Sequence, residues 1–328
     1  MTATIQPERI LRDLAELWKS LASPEHGAST ASGVLRACSM TLLVAAADVN
    51  DAEEVGRTVG ELMHEHPSRA IILKPADHGA ELSSRVYAQC WMPFGGRQQI
   101  CCEQIEITTP EGRLDEVARV ILGLIAPDLP AVLWVRGAHW FDRRGFEQIY
   151  PLIDKIVLDS CDFPGSDAAV VVFRELHSRK HPHAADLAWA RLTMWREMIA
   201  YTLEVAAPDR RLAAVRNIVV QHYEPTPSTS CLYLSAWLAH ALPAAQVKFE
   251  HVPGEVGRVA GVVLTGDIEL SFRRVEGETV QISGAQSNVV VLPHADDYRA
   301  MREELTITGA DPIFEEVYAK AEQLRSRS

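Results

Sequence analysis

The residues best suited to chemistry fall in three short stretches. Ser68-Arg69, after His66-Pro67, sets a hydroxyl beside a guanidinium at the start of an apolar run. A guanidinium offers paired, planar donors, so Arg69 can hold a carboxylate such as Glu103, or a phosphate. The second stretch, Gln98–Ile107, reads Gln-Gln-Ile-Cys-Cys-Glu-Gln-Ile-Glu-Ile and looks like a strand. Side chains alternate faces, so Cys101, Glu103, Ile105 and Ile107 share one, and Ile100, Cys102, Gln104 and Glu106 the other. If the strand is central, Glu103 or Gln104 is buried and needs a partner. Arg69, Arg191 and Arg196 are the candidate cations. Two readings stand for Glu103, a structural ion pair or a contact to a ligand or partner. The third stretch, Asp186–Glu197, places Trp189, Arg191, Trp195, Arg196 and Glu197 on one predicted helix. Arg191 and Trp195 are four apart and therefore neighbours on its surface. Trp and Arg dominate interface hot spots, and they serve equally as core and salt-bridge residues.

Other patterns assign no catalytic, cofactor-binding or metal-binding residue. The turn after the first long apolar strand reads Ala45-Ala46-Ala47-Asp48-Val49-Asn50-Asp51, without the glycines that let a backbone approach a pyrophosphate. Gly95-Gly96-Arg97 precedes a strand instead of joining strand to helix, and Gly254, Gly257 and Gly261 suit turns and bulges. His177, His181 and His183 surround Pro182 without a CxxC or HExxH, which favours a solvated loop over a ligand set. There is no GxSxG elbow, and Cys161 alone reads as an inert small side chain. Six cysteines with no CxxC imply reduced thiols and a cytoplasmic setting. The neighbouring thiols of Cys101 and Cys102 point to opposite faces, which disfavours a bond between them.

A formal charge of −12 argues against nucleic acid and against an anionic membrane as partners. The chain opens on an amphipathic helix, with Ile10, Leu11, Leu14, Leu17, Trp18 and Leu21 at helical spacing, and not on a secretory signal. No run reaches the roughly 18 apolar residues of a membrane helix.

These residues must be positioned by alternating elements. After a small polar linker at 23–33, strands are expected at 40–46, 70–73, 86–89, 100–108, 131–135 and 153–158. Helices are expected between them at 51–65, 114–125 and 141–150. Such alternation predicts a mainly parallel, three-layer α/β domain. Residues 166–206 read as mostly helical, with Asp186 as N-cap of a helix to Val205. Strands then follow at 218–222, 247–251, 259–264, 268–273, 279–283 and 289–292, with one helix at 230–241 and two more closing the chain. Tight joints at Thr265-Gly266-Asp267 and Glu276-Gly277-Glu278 predict antiparallel pairing. The expected organisation is an N-terminal helix and linker (1–30), an α/β domain (31–165), a helical bridge (166–206) and an α+β domain with a mainly antiparallel sheet (207–328).

Five ordered segments carry a resemblance. They are His66-Pro67-Ser68-Arg69-Ala70; Cys101-Cys102-Glu103-Gln104-Ile105; and Pro127-Asp128-Leu129-Pro130 leading into Leu133-Trp134. Asp154-Lys155-Ile156-Val157-Leu158-Asp159-Ser160 and Asp186-Leu187-Ala188-Trp189-Ala190-Arg191-Leu192-Thr193-Met194-Trp195-Arg196-Glu197 complete the set. In this order the chain resembles the glucose-6-phosphate dehydrogenase assembly protein family (OpcA) from about residue 35 to 240. The resemblance implies a non-catalytic assembly factor or activator whose partner is that NADP-dependent dehydrogenase of the oxidative pentose phosphate pathway. It brings no catalytic residue and no cofactor. Redox control is reported in the family, and no paired cysteine motif here supports it. Ser68, Arg69, Glu103, Gln104, Arg191, Trp195, Arg196 and Glu197 remain candidates for an interface or a ligand. The alternative is an α/β protein that itself binds or converts a sugar phosphate or nucleotide.

Overall fold

Met40–Ala45, Ala131–Val135 and Lys155–Leu158 are buried at every position. Burial on both faces is what parallel strands covered by helices require. The computed structural model describes residues 5–21, 34–93, 99–163, 166–179, 181–206, 215–254, 259–284 and 287–325. The chain divides into two units, residues 1–185 with 301–310 and residues 186–300 with 311–328.

The first unit runs α1 (Pro7–Leu21), β1 (Val34–Arg36), β2 (Met40–Ala45), α2 (Val49–Leu62), β3 (Ser68–Ala76), β4 (Ser83–Trp91) and β5 (Gln99–Pro110). It continues through α3 (Leu114–Leu124), β6 (Ala131–Val135), β7 (Lys155–Leu158), α4 (Ser166–Ser178) and β8 (His183–Asp186). The sheet order is β1-β5-β3-β2-β6-β7-β8, with β4 antiparallel on β5. From β2 the chain moves outward through β3 and β5, then returns to β6 on the other side of β2. The order of the sheet therefore reverses between β2 and β6. α1 buries Ile10 and Leu14 and packs on β4 and α3. Gly123 permits that approach, since a Cβ there would stand 2.6 Å from the Pro7 Cβ.

Lys155 opens β7 and is buried. Its ammonium donates to the carbonyls of Ile307 at 2.6 Å and Glu304 at 3.2 Å, and pairs with the Glu304 carboxylate. These contacts tie residues 301–310 to the first unit.

The second unit begins with α5 (Leu187–Ala190) and α6 (Thr193–Ala206), then β9 (Val215–His222), α7 (Thr229–Ala241) and β10 (Gln246–His251). β11 (Val259–Gly266), β12 (Glu269–Glu276), β13 (Thr279–Ser283) and β14 (Asn288–Val291) follow; α8 (Asp297–Glu304) starts in this unit and counts with the first from Met301, and α9 (Pro312–Arg325) closes the chain. Its sheet order is β10-β9-β11-β12-β13-β14, parallel only between β9 and β10. Gly277, at φ 49°, makes the turn from β12 to β13, a conformation other residues rarely adopt.

The fold is α/β with one mainly parallel and one mostly antiparallel sheet, as the sequence pattern predicts. Three local expectations change. Residues 141–150 are not one helix: 3-10 turns span Ala138–Trp140 and Phe146–Leu152, because Gly145 sits at φ 93° and Pro151 removes a donor. The helix expected from Asp186 to Val205 breaks after Ala190 and resumes at Thr193. Within the stretch expected to be helical, His183–Asp186 is a strand beside β7. Gly257 and Gly95-Gly96-Arg97 lie outside the described residues, while Gly261 does follow a register shift.

Breaking a buried pair strands the remaining charge, at a cost of about 3–5 kcal/mol. Lys155→Met is therefore expected to lower unfolding stability by an amount of that order. Lys155→Met with Glu304→Leu should recover part of the loss, measured by urea titration.

Candidate functional site

Glu103 lies in the middle of β5 and is 3% exposed. Its carboxylate accepts from Arg69 Nε at 2.7 Å and from the Trp18 indole at 2.7 Å, and pairs with Arg36 at 2.8 Å. The strand register explains the first contact, because Arg69 stands opposite Glu103 across the β3–β5 pairing. Arg69 also donates to the Leu124 carbonyl at 2.7 Å, so its guanidinium is already occupied. Ser68 is buried and is not a solvent-facing hydroxyl. Arg36 and Trp18 carry no sequence signal as partners, since the linker at 23–33 separates them from each other. Arg191 and Arg196 belong to the other unit and take other partners.

On the opposite face of β5, Gln104 is buried and accepts from Gln89 at 3.3 Å. Cys101 faces Cys90 across the antiparallel β4–β5 pair, and the two form a disulfide. The expectation of six reduced thiols is corrected for this pair. Their spacing of 11 residues hides a direct cross-strand register, which only the hairpin creates. The Cys102 thiol is pushed up to about 11, by burial first. Cys231 is likewise raised to about 11 by burial, while Cys161 is exposed.

The Trp-Arg segment is held inside the second unit. Asp186 caps α5 through the Ala188 amide at 3.0 Å and accepts the Tyr233 hydroxyl at 2.9 Å. Burial and then the Asp186 charge hold the Tyr233 phenol well above its ordinary pKa. The Arg196 guanidinium stacks 3.6 Å from the Trp189 ring centre, and the Trp189 indole donates to Asp311 at 3.0 Å. Arg191 pairs with Asp297 at 2.7 Å, and Trp195 is buried. Glu197 alone among the eight candidates is exposed. It borders a groove of about 870 Å³ with Met198, Tyr201, Val205, Ile282 and Val289. Along that groove Tyr201 is 71%, Val205 63% and Val289 66% exposed.

His181 and His183 border an open cleft of about 490 Å³ with Asp128 and Asp154. Among the described residues no group of three or more His, Cys, Asp or Glu side chains could hold a metal ion.

The reversal point between β2 and β6 is where sheets of this connectivity bind dinucleotides, at the C-terminal ends of the strands. A pyrophosphate there needs open amides at the start of the helix. Here Asp48 accepts the Asn50 and Asp51 amides at 2.7 and 2.9 Å, and Asp51 accepts the Ala47 amide at 2.6 Å. Arg136, just past β6, pairs with Asp51 at 2.7 Å, and the Trp140 indole donates to the Ala46 carbonyl at 2.7 Å. The chain's own carboxylates hold the amides that a phosphate would use. These residues do not fit a dinucleotide.

Comparison with known proteins places both units. Residues 59–175 match the family model described as the N-terminal domain of a glucose-6-phosphate dehydrogenase subunit, and residues 182–318 match the model for the C-terminal domain of the same protein. The chain belongs to the glucose-6-phosphate dehydrogenase assembly protein family, OpcA. Relatives named "Putative OxPP cycle protein OpcA" include one from Nostoc punctiforme, 25% identical over 61% of this chain and 43% of its own length. Another, from Synechocystis, is 28% identical over 58% of this chain and 40% of its own. The matches thus span about two fifths of these OpcA relatives. Among solved structures, a levoglucosan dehydrogenase in complex with NADH and levoglucosan is 9% identical, with TM-score 0.43 over 86% of this chain and 94% of that one. An NAD binding oxidoreductase from Klebsiella pneumoniae is 6% identical, with TM-score 0.44 over 88% and 96%. Both likenesses are too distant to bear on function. No helix among the described residues of this OpcA-family chain is long and apolar enough to cross a membrane.

Glu103→Gln leaves Arg69 facing a neutral amide and is expected to cost about 3–5 kcal/mol in urea unfolding. Burial also disfavours the Cys102 and Cys231 thiolates. Iodoacetamide at about pH 8 should therefore label exposed Cys161 well before either, read by peptide mass spectrometry.

Proposed function

We propose that this chain is a non-catalytic assembly factor and activator of glucose-6-phosphate dehydrogenase. The observation that carries the reading is the ordered match of both domain models of the dehydrogenase-associated family along one chain. The reversal point adds support, because amides capped by Asp48 and Asp51 oppose the NADP chemistry of an independent dehydrogenase. A cytoplasmic setting follows from that partner.

The docking face we propose is the groove beside Glu197 on α6. Its exposed Tyr201, Val205 and Val289 form an apolar patch with an acidic border, suited to a protein surface. Arg191, Trp195 and Arg196 then act from behind, by fixing α6 in place. Ser68, Arg69, Glu103 and Gln104 hold the first unit together in this reading. An activator shifts its partner only by the difference in its affinity for the two states. Moving an equilibrium from about 1:99 to 99:1 requires roughly 5.5 kcal/mol of differential binding, within reach of an ordinary interface.

The test is the cognate dehydrogenase assayed with and without this chain across NADP concentrations, alongside light scattering of the mixture. The expected result is no turnover by the chain alone, and a rise in dehydrogenase rate or oligomeric order when the two are mixed. Tyr201→Glu should abolish the effect while the isolated chain keeps its melting temperature. A mixture with neither complex nor rate change defeats the reading. An unaltered effect in Tyr201→Glu moves the docking face elsewhere.

A further inference from the structure

Just past the reversal point, Trp140 is fully buried, and a guanidinium and an imidazole lie against its indole. The guanidinium carbon of Arg143 stands 4.7 Å from the ring centre, and the His139 ring 5.6 Å. Arg143 Nη1 is buried without a hydrogen-bond partner. Among the described residues no carboxylate comes within ion-pair distance of this guanidinium. Glu111, exposed at the end of β5, acts on it only at longer range. Two other partly buried guanidinium groups of this sheet are engaged: Arg69 by Glu103, and Arg136 by Asp51. A guanidinium partly withdrawn from water without a close counter-charge carries a desolvation cost, and an arginine does not escape it by losing its proton.

We propose that Arg143, with His139 beside it, receives the oxyanion of a small molecule, a phosphate monoester or a carboxylate. The place fits the topology. Ligands of open parallel sheets gather outside the C-terminal ends of the strands, at the reversal of strand order. The usual anion receptor there, the start of the helix after the first strand of the reversal, is closed by Asp48 and Asp51. The oxyanion is instead taken by a side chain one loop further on. A guanidinium binds either oxyanion through paired N–H donors, and the indole beneath it fixes its plane.

His139 reports occupancy. Burial, and then the Arg143 charge, hold its imidazole below the ordinary pKa, while Asp142 and Asp48 act in the opposite direction. A bound anion offsets Arg143, so the folded His139 pKa rises and binding takes up a proton. Affinity for acetate, which stays ionised there, should consequently increase as pH falls through the interval between the free and the bound His139 pKa.

The full chain is titrated with inorganic phosphate and, in a separate arm, with acetate, following the His139 imidazole signals by NMR. The expected result is saturable shifts, with the His139 pKa raised by roughly half a unit or more at saturation. Saturation in one arm only identifies which oxyanion the site prefers and supports the proposal. Arg143→Met, which keeps a stem over Trp140, should weaken binding by at least about tenfold, whereas Arg143→Lys should retain part of it. Arg144→Met removes a neighbouring exposed cation and should change little. Absence of saturation in both arms overturns the proposal. So does a response that survives in Arg143→Met, or one lost equally in Arg144→Met, since either reflects diffuse attraction and not this site.

Discussion

A carboxylate in the middle of a buried strand cannot remain charged unless cations and donors reach it there. Glu103 sets that requirement for the first unit. Arg69 meets it from β3, Arg36 from the end of β1, and Trp18 from α1. Three elements separated in sequence thus converge on one group of a fourth. The N-terminal helix is held by a directed hydrogen bond as well as by apolar contact with β4 and α3. Each of these contacts offsets part of the cost of burying the charge.

The reversal point between β2 and β6 follows the same rule with the opposite chemical consequence. In sheets of this connectivity it is an open crevice with free amides. Here Asp48 and Asp51 satisfy those amides, Arg136 neutralises Asp51, and the Trp140 indole donates to the Ala46 carbonyl. This end of the sheet is closed by the chain's own side chains. Arg143 remains a cation there whose charge the described residues do not balance.

The second unit uses aromatic and cationic side chains as scaffolding. Arg196 on Trp189, Arg191 on Asp297, and Asp186 between the α5 amide and Tyr233 fix α5 and α6. Fixing α6 presents its outer side, with Glu197, Tyr201 and Val205, to solvent. Residues that resemble interface hot spots in sequence thus lie behind the exposed surface, and their helix neighbours form it.

The two sheet types are legible in the amino-acid pattern, because apolar runs and alternating patterns depend only on local periodicity and burial. The same pattern shows that the turn at 45–51 has no glycine to admit a phosphate, that Asp186 caps a helix, and that Glu103 needs a cation if buried. Which cation that is depends on the folded chain. Arg36 and Trp18, which no local pattern brings together, both reach Glu103, and the linker expected at 23–33 between them lies outside the described residues. The Cys90–Cys101 bond depended on a hairpin register, and the breaks at Gly145 and after Ala190 on local backbone geometry that helical periodicity does not report. The isolation of Arg143 is of the same kind. Any arginine in sequence is a charged side chain, and whether it is balanced depends on where every carboxylate of the unit comes to rest.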